Sequence, residues 1–431
     1  MNPPAAGARG KRNVRHATLG SGKIQHVVII VQENRSTDTL FNGFPGADTV
    51  KYGYNTAGDQ VQLQSITLTA PWDVVHSHVA FNIAFDGGRM DGFNLEPSTC
   101  LRLHKKCTIG ADVRAYTFVK RSEIQPYWDM ATQYAFADKM FATQAGPSFP
   151  AHQYIVSGTS TVSQSSSLRA AENPLDATQQ STGGCDSPPG SLVTLIDANG
   201  TEDQFVYPCF DRPSLTDLIE KQQLTWRYYQ FKTGAGLWNA LDAIKHVRYS
   251  SQYSEDVISP PSQVLTDIAN GSLANVVWVT PTGKASDHAG STNGSGPSWV
   301  ASVVNAIGNS NYWNSTAIFV TWDDWGGFYD HVAPPQYNSY ELGFRVPLIA
   351  IGPYAKQGYV SHVQHEFGSI LKFTEEVFNL GSLGTTDVRA DDLSDCFNFG
   401  LKPRHFAPIK APLGATNFLH QPPDNEIPDN D

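Results

Sequence analysis

Residues 24–36 constrain this chain more than any other stretch. Val27, Val28, Ile29, Ile30 and Val31 run without a polar break and then give way to Gln32, Glu33, Asn34 and Arg35. Five consecutive β-branched residues suit a strand covered on both faces, the position strands take in a parallel sheet flanked by helices. In open α/β sheets, ligands bind beyond the carboxyl ends of the strands. Glu33 and Asn34 would stand there, offering two oxygen ligands for a hard cation, or one ligand and one hydrogen-bond donor. For a single strand, a plain polar turn explains the pattern equally well.

The pattern recurs. Ala317, Ile318, Phe319 and Val320 lead through Thr321 and Trp322 to Asp323 and Asp324, followed by Trp325-Gly326-Gly327. Adjacent carboxylates repel, and in a water-poor site a cation is the simplest means of keeping both charged. The competing reading is an acidic turn that caps a helix. Glu33, Asn34, Asp323 and Asp324 form a matched set of hard oxygen ligands, which favours Ca²⁺ or Mg²⁺ over Zn²⁺.

Between the two strands lies Gly146-Pro147-Ser148-Phe149-Pro150. Gly-Pro marks a turn and Pro150 suits the first turn of a helix, so Ser148 falls at or near a helix N-terminus. Such a position attracts anions, and a hydroxyl beside a metal can lose its proton and attack phosphorus. An N-cap serine with no chemistry is the alternative.

Elsewhere strand, loop and helix alternate. Strands are expected at 225–229, 275–280 and 346–351, and helices at 214–221, 297–306 and 368–380. The fold class that follows is α/β, with a doubly wound, mostly parallel central sheet flanked by helices. Residues 1–22 read as a flexible leader with no apolar core of a signal peptide, and 23–431 as one catalytic domain. Within it, 160–190 is expected to be a surface loop over the active-site face, and 402–431 an extended tail.

The net charge of −11 over 431 residues argues against nucleic acid as a partner. No apolar run approaches the ~20 residues needed to span a bilayer. Of the five cysteines, Cys100 and Cys107 are spaced to staple a loop, and Cys185 and Cys209 bracket a Gly- and Pro-rich segment. Cys396 would be left as a buried thiol. Two disulfides would suit an oxidising compartment, periplasmic or secreted, and a cytosolic chain with five reduced cysteines is the alternative.

Six motifs follow one another in order: Glu33-Asn34-Arg35-Ser36, Gly87-Gly88-Arg89-Met90-Asp91-Gly92-Phe93, the Ser148 turn, Ser286-Asp287-His288, Thr321 to His331, and His365-Glu366-Phe367-Gly368-Ser369. Together they resemble the bacterial phosphoesterase family of phospholipases C and related acid phosphatases, placed in the alkaline phosphatase-like superfamily. The resemblance implies a metal-dependent phosphoric ester hydrolase, with Ser148 attacking phosphorus and passing through a phosphoserine. It implies a small phosphate ester or a phospholipid headgroup as substrate. It also singles out Asp287 and His288, and His76, which fits the family's Asp-x-x-His spacing from Asp73. His76 or His288 would protonate the leaving alcohol. His331 fits either an active-site or a structural role, and His152 reads as a satisfied helix histidine.

Family phospholipases often carry Thr where this chain has Ser148, and the acid phosphatases carry Ser, so the expectation is an acid phosphatase-type phosphomonoesterase. A phospholipase C-type phosphodiesterase is the alternative, and a catalytically silent binding protein on the same fold a further one. A sulfatase-type reading fails, because no Cys or Ser lies in a Cys/Ser-x-Pro-x-Arg context.

Overall fold

The computed structural model describes residues 19–100 and 107–422. The strands of the central sheet, in chain order, are β1 (His26–Gln32), β2 (Ala135–Ala137), β3 (Trp226–Tyr229), β4 (Val257–Ile258), β5 (Val276–Val279), β6 (Thr316–Trp322), β7 (Leu348–Ile351) and β8 (Tyr359–Ser361). Their order across the sheet is β4-β3-β5-β1-β6-β7-β2-β8. Only β7 runs against its neighbours, pairing antiparallel with β6 and β2; the other pairs are parallel. The sheet is therefore the mostly parallel α/β sheet that the strand patterns predict.

The two strands with the strongest sequence signal lie side by side at its centre. β1 and β6 pair over seven residues, from His26 with Thr316 to Gln32 with Trp322. Burial on both faces explains their unbroken apolar runs, since Val27–Val31 and all of β6 are buried. Helices cover both sides. Side chains three positions apart on a strand point to opposite faces. On β6, Phe319 packs edge-on against Phe373 of one helix, and Trp322 against Tyr127 of another.

The helices that matter below are α1 (Gln125–Gln133), α2 (Ser148–Ser157), α3 (Gly296–Gly308) and α4 (Phe367–Phe378). All ten residues of α2 are buried. It stops at Gly158, whose φ of 63° suits a residue without a Cβ; a Cβ there would lie 2.3 Å from Thr385 Oγ1. The expected helix at 214–221 begins at Leu215, with Ser214 and Asp217 forming a capping box.

Segment 160–190 is not simply a surface loop. It supplies a strand at Arg169–Ala170 to a small antiparallel sheet with Val193–Ile196 and Gln204–Val206, and buries Ala170, Ala171 and Asn173. Aromatic and aliphatic side chains (Phe149, Val193, Leu195, Phe210, Trp238) form a second core cluster beneath it, and this apolar payload outweighs the polar composition. The tail packs on the body, with Ile409 buried and Phe418 edge-on against Trp299 of α3. The expected leader lies largely outside the described residues, as does the end of the tail from 423.

Disulfides join Cys100 to Cys107 and Cys185 to Cys209, and Cys396 is a buried free thiol. The pairing fits an extracytoplasmic protein. Among the described residues, no helix is long and apolar enough to cross a membrane.

Candidate active site

Because β1 and β6 are neighbours in register, the residues that follow them emerge side by side. The Asp323 N–H donates to the Gln32 carbonyl (3.0 Å), extending the ladder by one bond, and the Asn34 N–H donates to Asp323 Oδ1 (3.0 Å). Asn34 adopts φ 61°, a left-handed conformation that Asn tolerates better than most residues. The Gly326-Gly327 turn closes over it. At Gly326 (φ 63°) a Cβ would sit 2.2 Å from the Asn34 carbonyl oxygen, so glycine is what lets the two loops touch.

From this junction the side chains divide into two groups. In the first, Glu33, Asp323 and His152 bring one ligand atom each to within 4.8 Å of one another, all three fully buried. His152 Nε2 lies 3.1 Å from Glu33 Oε1 and 3.9 Å from Asp323 Oδ2. In the second group, the Asn34 amide lies 3.1 and 3.2 Å from the Asp324 carboxylate oxygens, 3.3 Å from Ser148 Oγ and 2.8 Å from His76 Nε2. Ser148 Oγ is 3.4 Å from Asp324 Oδ2.

Ser148 is the first residue of α2, and the N-cap is Pro147. Its hydroxyl is turned to Asn34 and Asp324, not to the helix's own N–H groups, so a capping role does not account for it. His152 stands one turn later on the same helix, and the i, i+4 spacing puts both on one face. Sequence reading set His152 aside as a satisfied helix histidine. The Ser148-x-x-x-His152 spacing on an expected helix was the signal available for it. Burial pulls the His152 imidazole down to about 4, against the pull of Asp323, so at neutral pH it presents a lone pair.

His76 is placed with equal definition. Its Nδ1 lies 3.0 Å from the Val74 carbonyl, which can only accept, so Nδ1 carries the hydrogen and Nε2 faces the site. His288 packs beside it, ring centroids 5.9 Å apart, with Nδ1 2.7 Å from the Ala289 carbonyl. Glu96 is buried behind them, its carboxyl raised well above the usual range by desolvation despite the pull of His76 and Trp325.

Asp287 goes elsewhere. Its Oδ2 accepts from the Tyr127 hydroxyl of α1 (2.8 Å) and from Trp322 Nε1 (3.0 Å), while its backbone carbonyl accepts from Arg35 Nε (2.9 Å). Desolvation lifts its carboxyl to about 6, against the pull of those donors. This carboxylate braces the end of β6 and does not join the Ser148 group. His331 likewise belongs to a separate network: Nδ1 is 2.7 Å from Asp38 and Nε2 3.1 Å from Asp48, and Arg345 lies against Asp330 (2.8 Å). That guanidinium occupies the place a cation would take among Asp38, Asp330 and His331.

The junction of the two groups fits a divalent cation on its own chemistry. Glu33, Asp323 and Asp324 are three carboxylates with no exposed surface. Among the described residues, Asp323 Oδ2 and Asn34 Oδ1 are buried without a hydrogen-bond partner. Leaving a buried carboxylate uncompensated costs several kcal/mol, on the order of what a bound dication offsets.

A model of the Phosphoesterase family matches residues 24–381. The chain belongs to that family. Curated relatives include the non-hemolytic phospholipase C of Pseudomonas aeruginosa, 24% identical over 89% of this chain and 58% of that protein. Phospholipase C B of Mycobacterium tuberculosis is 24% identical over 89% of this chain and 80% of its own length. Non-specific phospholipase C4 of Arabidopsis thaliana is 24% identical over 84% and 69%. The chain thus spans little more than half of the Pseudomonas relative. A solved structure described as a protein in the alkaline phosphatase superfamily, from Vibrio parahaemolyticus, aligns with a TM-score of 0.37 at 10% identity, covering 86% of this chain and 70% of that one; a likeness this low carries no argument.

Proposed function

We propose that this chain is a metal-dependent phosphoric ester hydrolase with Ser148 as its nucleophile, one catalytic domain working in the periplasm or outside the cell. The observation that carries the reading is the convergence of a buried serine hydroxyl at a helix N-terminus with Asn34 and Asp324, one junction away from Glu33, Asp323 and His152.

Glu33, Asp323 and His152 would hold the cation, with Asp324 and Asn34 available on the Ser148 side. A divalent ion bound there supplies positive charge that lowers the pKa of a neighbouring hydroxyl and neutralises phosphoryl oxygens. The histidine nitrogen adds a borderline donor to the hard oxygens, so the donor set now accommodates Zn²⁺ or Mn²⁺ as well as Ca²⁺ or Mg²⁺.

The chain's own groups then divide the work. Asp324, 3.4 Å from Ser148 Oγ, orients the hydroxyl and takes its proton as the oxygen attacks phosphorus. The start of α2 offers the Ser148 N–H and the helix dipole to the phosphoryl oxygens, while the Phe149 N–H is given to Asn173 Oδ1 (2.9 Å) and Pro150 has none. The ester's alkoxide leaves with a proton from His76 or His288, and water cleaves the phosphoserine to restore Ser148. In its neutral form His76 is an acceptor at Nε2, so it acts as the acid only after taking a proton there.

Ser148 itself favours a phosphomonoesterase, since the resemblance associates serine at this position with acid phosphatases. The names of the curated relatives favour the second reading, a phospholipase C-type diesterase. Comparing p-nitrophenyl phosphate, bis-p-nitrophenyl phosphate and p-nitrophenylphosphorylcholine separates them. Turnover of the monoester alone supports the phosphatase, choline-ester turnover supports phospholipase C, and no turnover of any with metal supplied defeats both.

A further inference from the structure

At the far end of α2 from Ser148, a cavity of about 520 Å³ opens beside Gly158. Arg169, Arg212 and Arg389 line it, together with Thr161, Glu341 and Thr386 among others. The charges do not balance. Arg389 grips Glu366 through two parallel bonds (2.7 and 2.8 Å) and reaches Glu341 with its third nitrogen (2.6 Å). Arg169 Nε lies 3.3 Å from the same Glu341. Two guanidinium groups thus share two carboxylates, and Arg212 is left over.

Arg212 is 2% exposed. It donates to the Thr161 carbonyl (2.8 Å) and the Gln153 side chain, both neutral, and stacks on Phe210. Among the described residues it has no carboxylate partner, and its Nε is buried with no acceptor. Desolvation lowers its pKa to about 9. The negative end of α2 does not explain its placement. The Ser157 and Gly158 carbonyls are taken by the Thr385 and Thr386 hydroxyls, both at 3.0 Å. A buried guanidinium without a counter-charge, in the wall of a polar cavity, lacks an anion.

We propose that this cavity binds a small oxyanion, either inorganic phosphate or the phosphate of a larger ester, with Arg212 and Arg169 as its donors. Ten residues of helix, roughly 15 Å, separate it from the nucleophile, so it is distinct from the reacting centre. Gln153, which bonds Arg212, follows His152 directly, and this gives the bound anion a short path to the active-site end of the helix.

The test is calorimetric titration of the metal-loaded Ser148→Ala protein, which cannot consume an ester, at constant ionic strength. Inorganic phosphate and glycerol 3-phosphate are the two probes. The expected result is a saturable site that Arg212→Gln and Arg169→Gln each weaken at least tenfold, whatever else binds at the metal. Tighter binding of the ester would identify the larger ligand, and equal binding the free ion; either supports the site. Arg169 is only part-buried, so its variant decides the matter where Arg212→Gln fails to fold. No saturable binding, or binding with the same stoichiometry and affinity in the Arg169 variant, overturns the proposal.

Discussion

Replacing Ser148 with alanine separates chemistry from structure more sharply than any other single change. The hydroxyl makes two contacts, 3.3 Å to the Asn34 amide and 3.4 Å to Asp324, both longer than a good hydrogen bond. Removing it leaves Asn34 and Asp324 bonded to each other at 3.1 and 3.2 Å. The N-cap is Pro147, so no cap is lost. The stability change should therefore stay below about 1 kcal/mol. Loss of a nucleophile should instead lower kcat by about a thousandfold or more, roughly 4 kcal/mol in the barrier. The assay is p-nitrophenyl phosphate or phosphorylcholine turnover, with a melting curve and metal analysis on the same sample. Retention of more than about a tenth of wild-type kcat would refute the assignment. A drop of many degrees in Tm with loss of metal would move Ser148 from chemistry to scaffold.

Four other expectations follow from the same geometry. His152→Ala should lower bound metal and turnover together, and a chelator should abolish turnover until a divalent ion is returned; unchanged metal content in the variant would remove His152 from the site. Gly326→Ala forces a Cβ to 2.2 Å from the Asn34 carbonyl at φ 63°, so it should cost both stability and activity, and a variant with wild-type kcat and Tm would contradict the loop contact. Asp287, lifted by burial to about 6 from an unfolded value near ~3.9, holds more protons folded than unfolded between those values. Its contribution to stability should therefore fall as pH rises through that window, by up to about 3 kcal/mol, and Asp287→Asn should flatten the denaturation profile there; an unaltered slope would refute the linkage. Opening Cys185–Cys209 by double serine substitution releases a loop of sequence separation 24 and should cost about 3 kcal/mol by urea denaturation, and a neutral effect would show that residual structure restrains the loop already.

Much of the site is readable in the residues because its parts sit where strand patterns stop. An apolar run without polar breaks has one physical explanation in an α/β sheet, burial on both faces, and β1 and β6 both carry it. Glu33, Asn34, Asp323 and Asp324 could then be assigned to strand ends, and Gly-Pro-Ser to a helix start, without any three-dimensional information. Two assignments illustrate the limit. Asp287 follows the same rule of position, yet its side chain turns to Tyr127 and Trp322, because a buried carboxylate takes the donors nearest to it. His152 carries no strand-end signal and reads as a satisfied helix histidine, yet the turn of α2 delivers it to Glu33 and Asp323.

What the linear order of residues decides is local: period, caps, turns, and the chemical character of each loop. Valine and isoleucine runs become strands, Gly158 ends a helix, and acidic pairs mark places where charge must be met. Which loops face one another is decided by strand pairing and helix packing, which act over hundreds of residues and leave little local trace. Placing β1 beside β6 joins Glu33 to Asp323 across about 290 positions, and α2 must lie across that junction for Ser148 and His152 to enter it. Reversal of β7 between β6 and β2 is likewise invisible in Leu348–Ile351, since a strand buried on both faces reads the same in either direction.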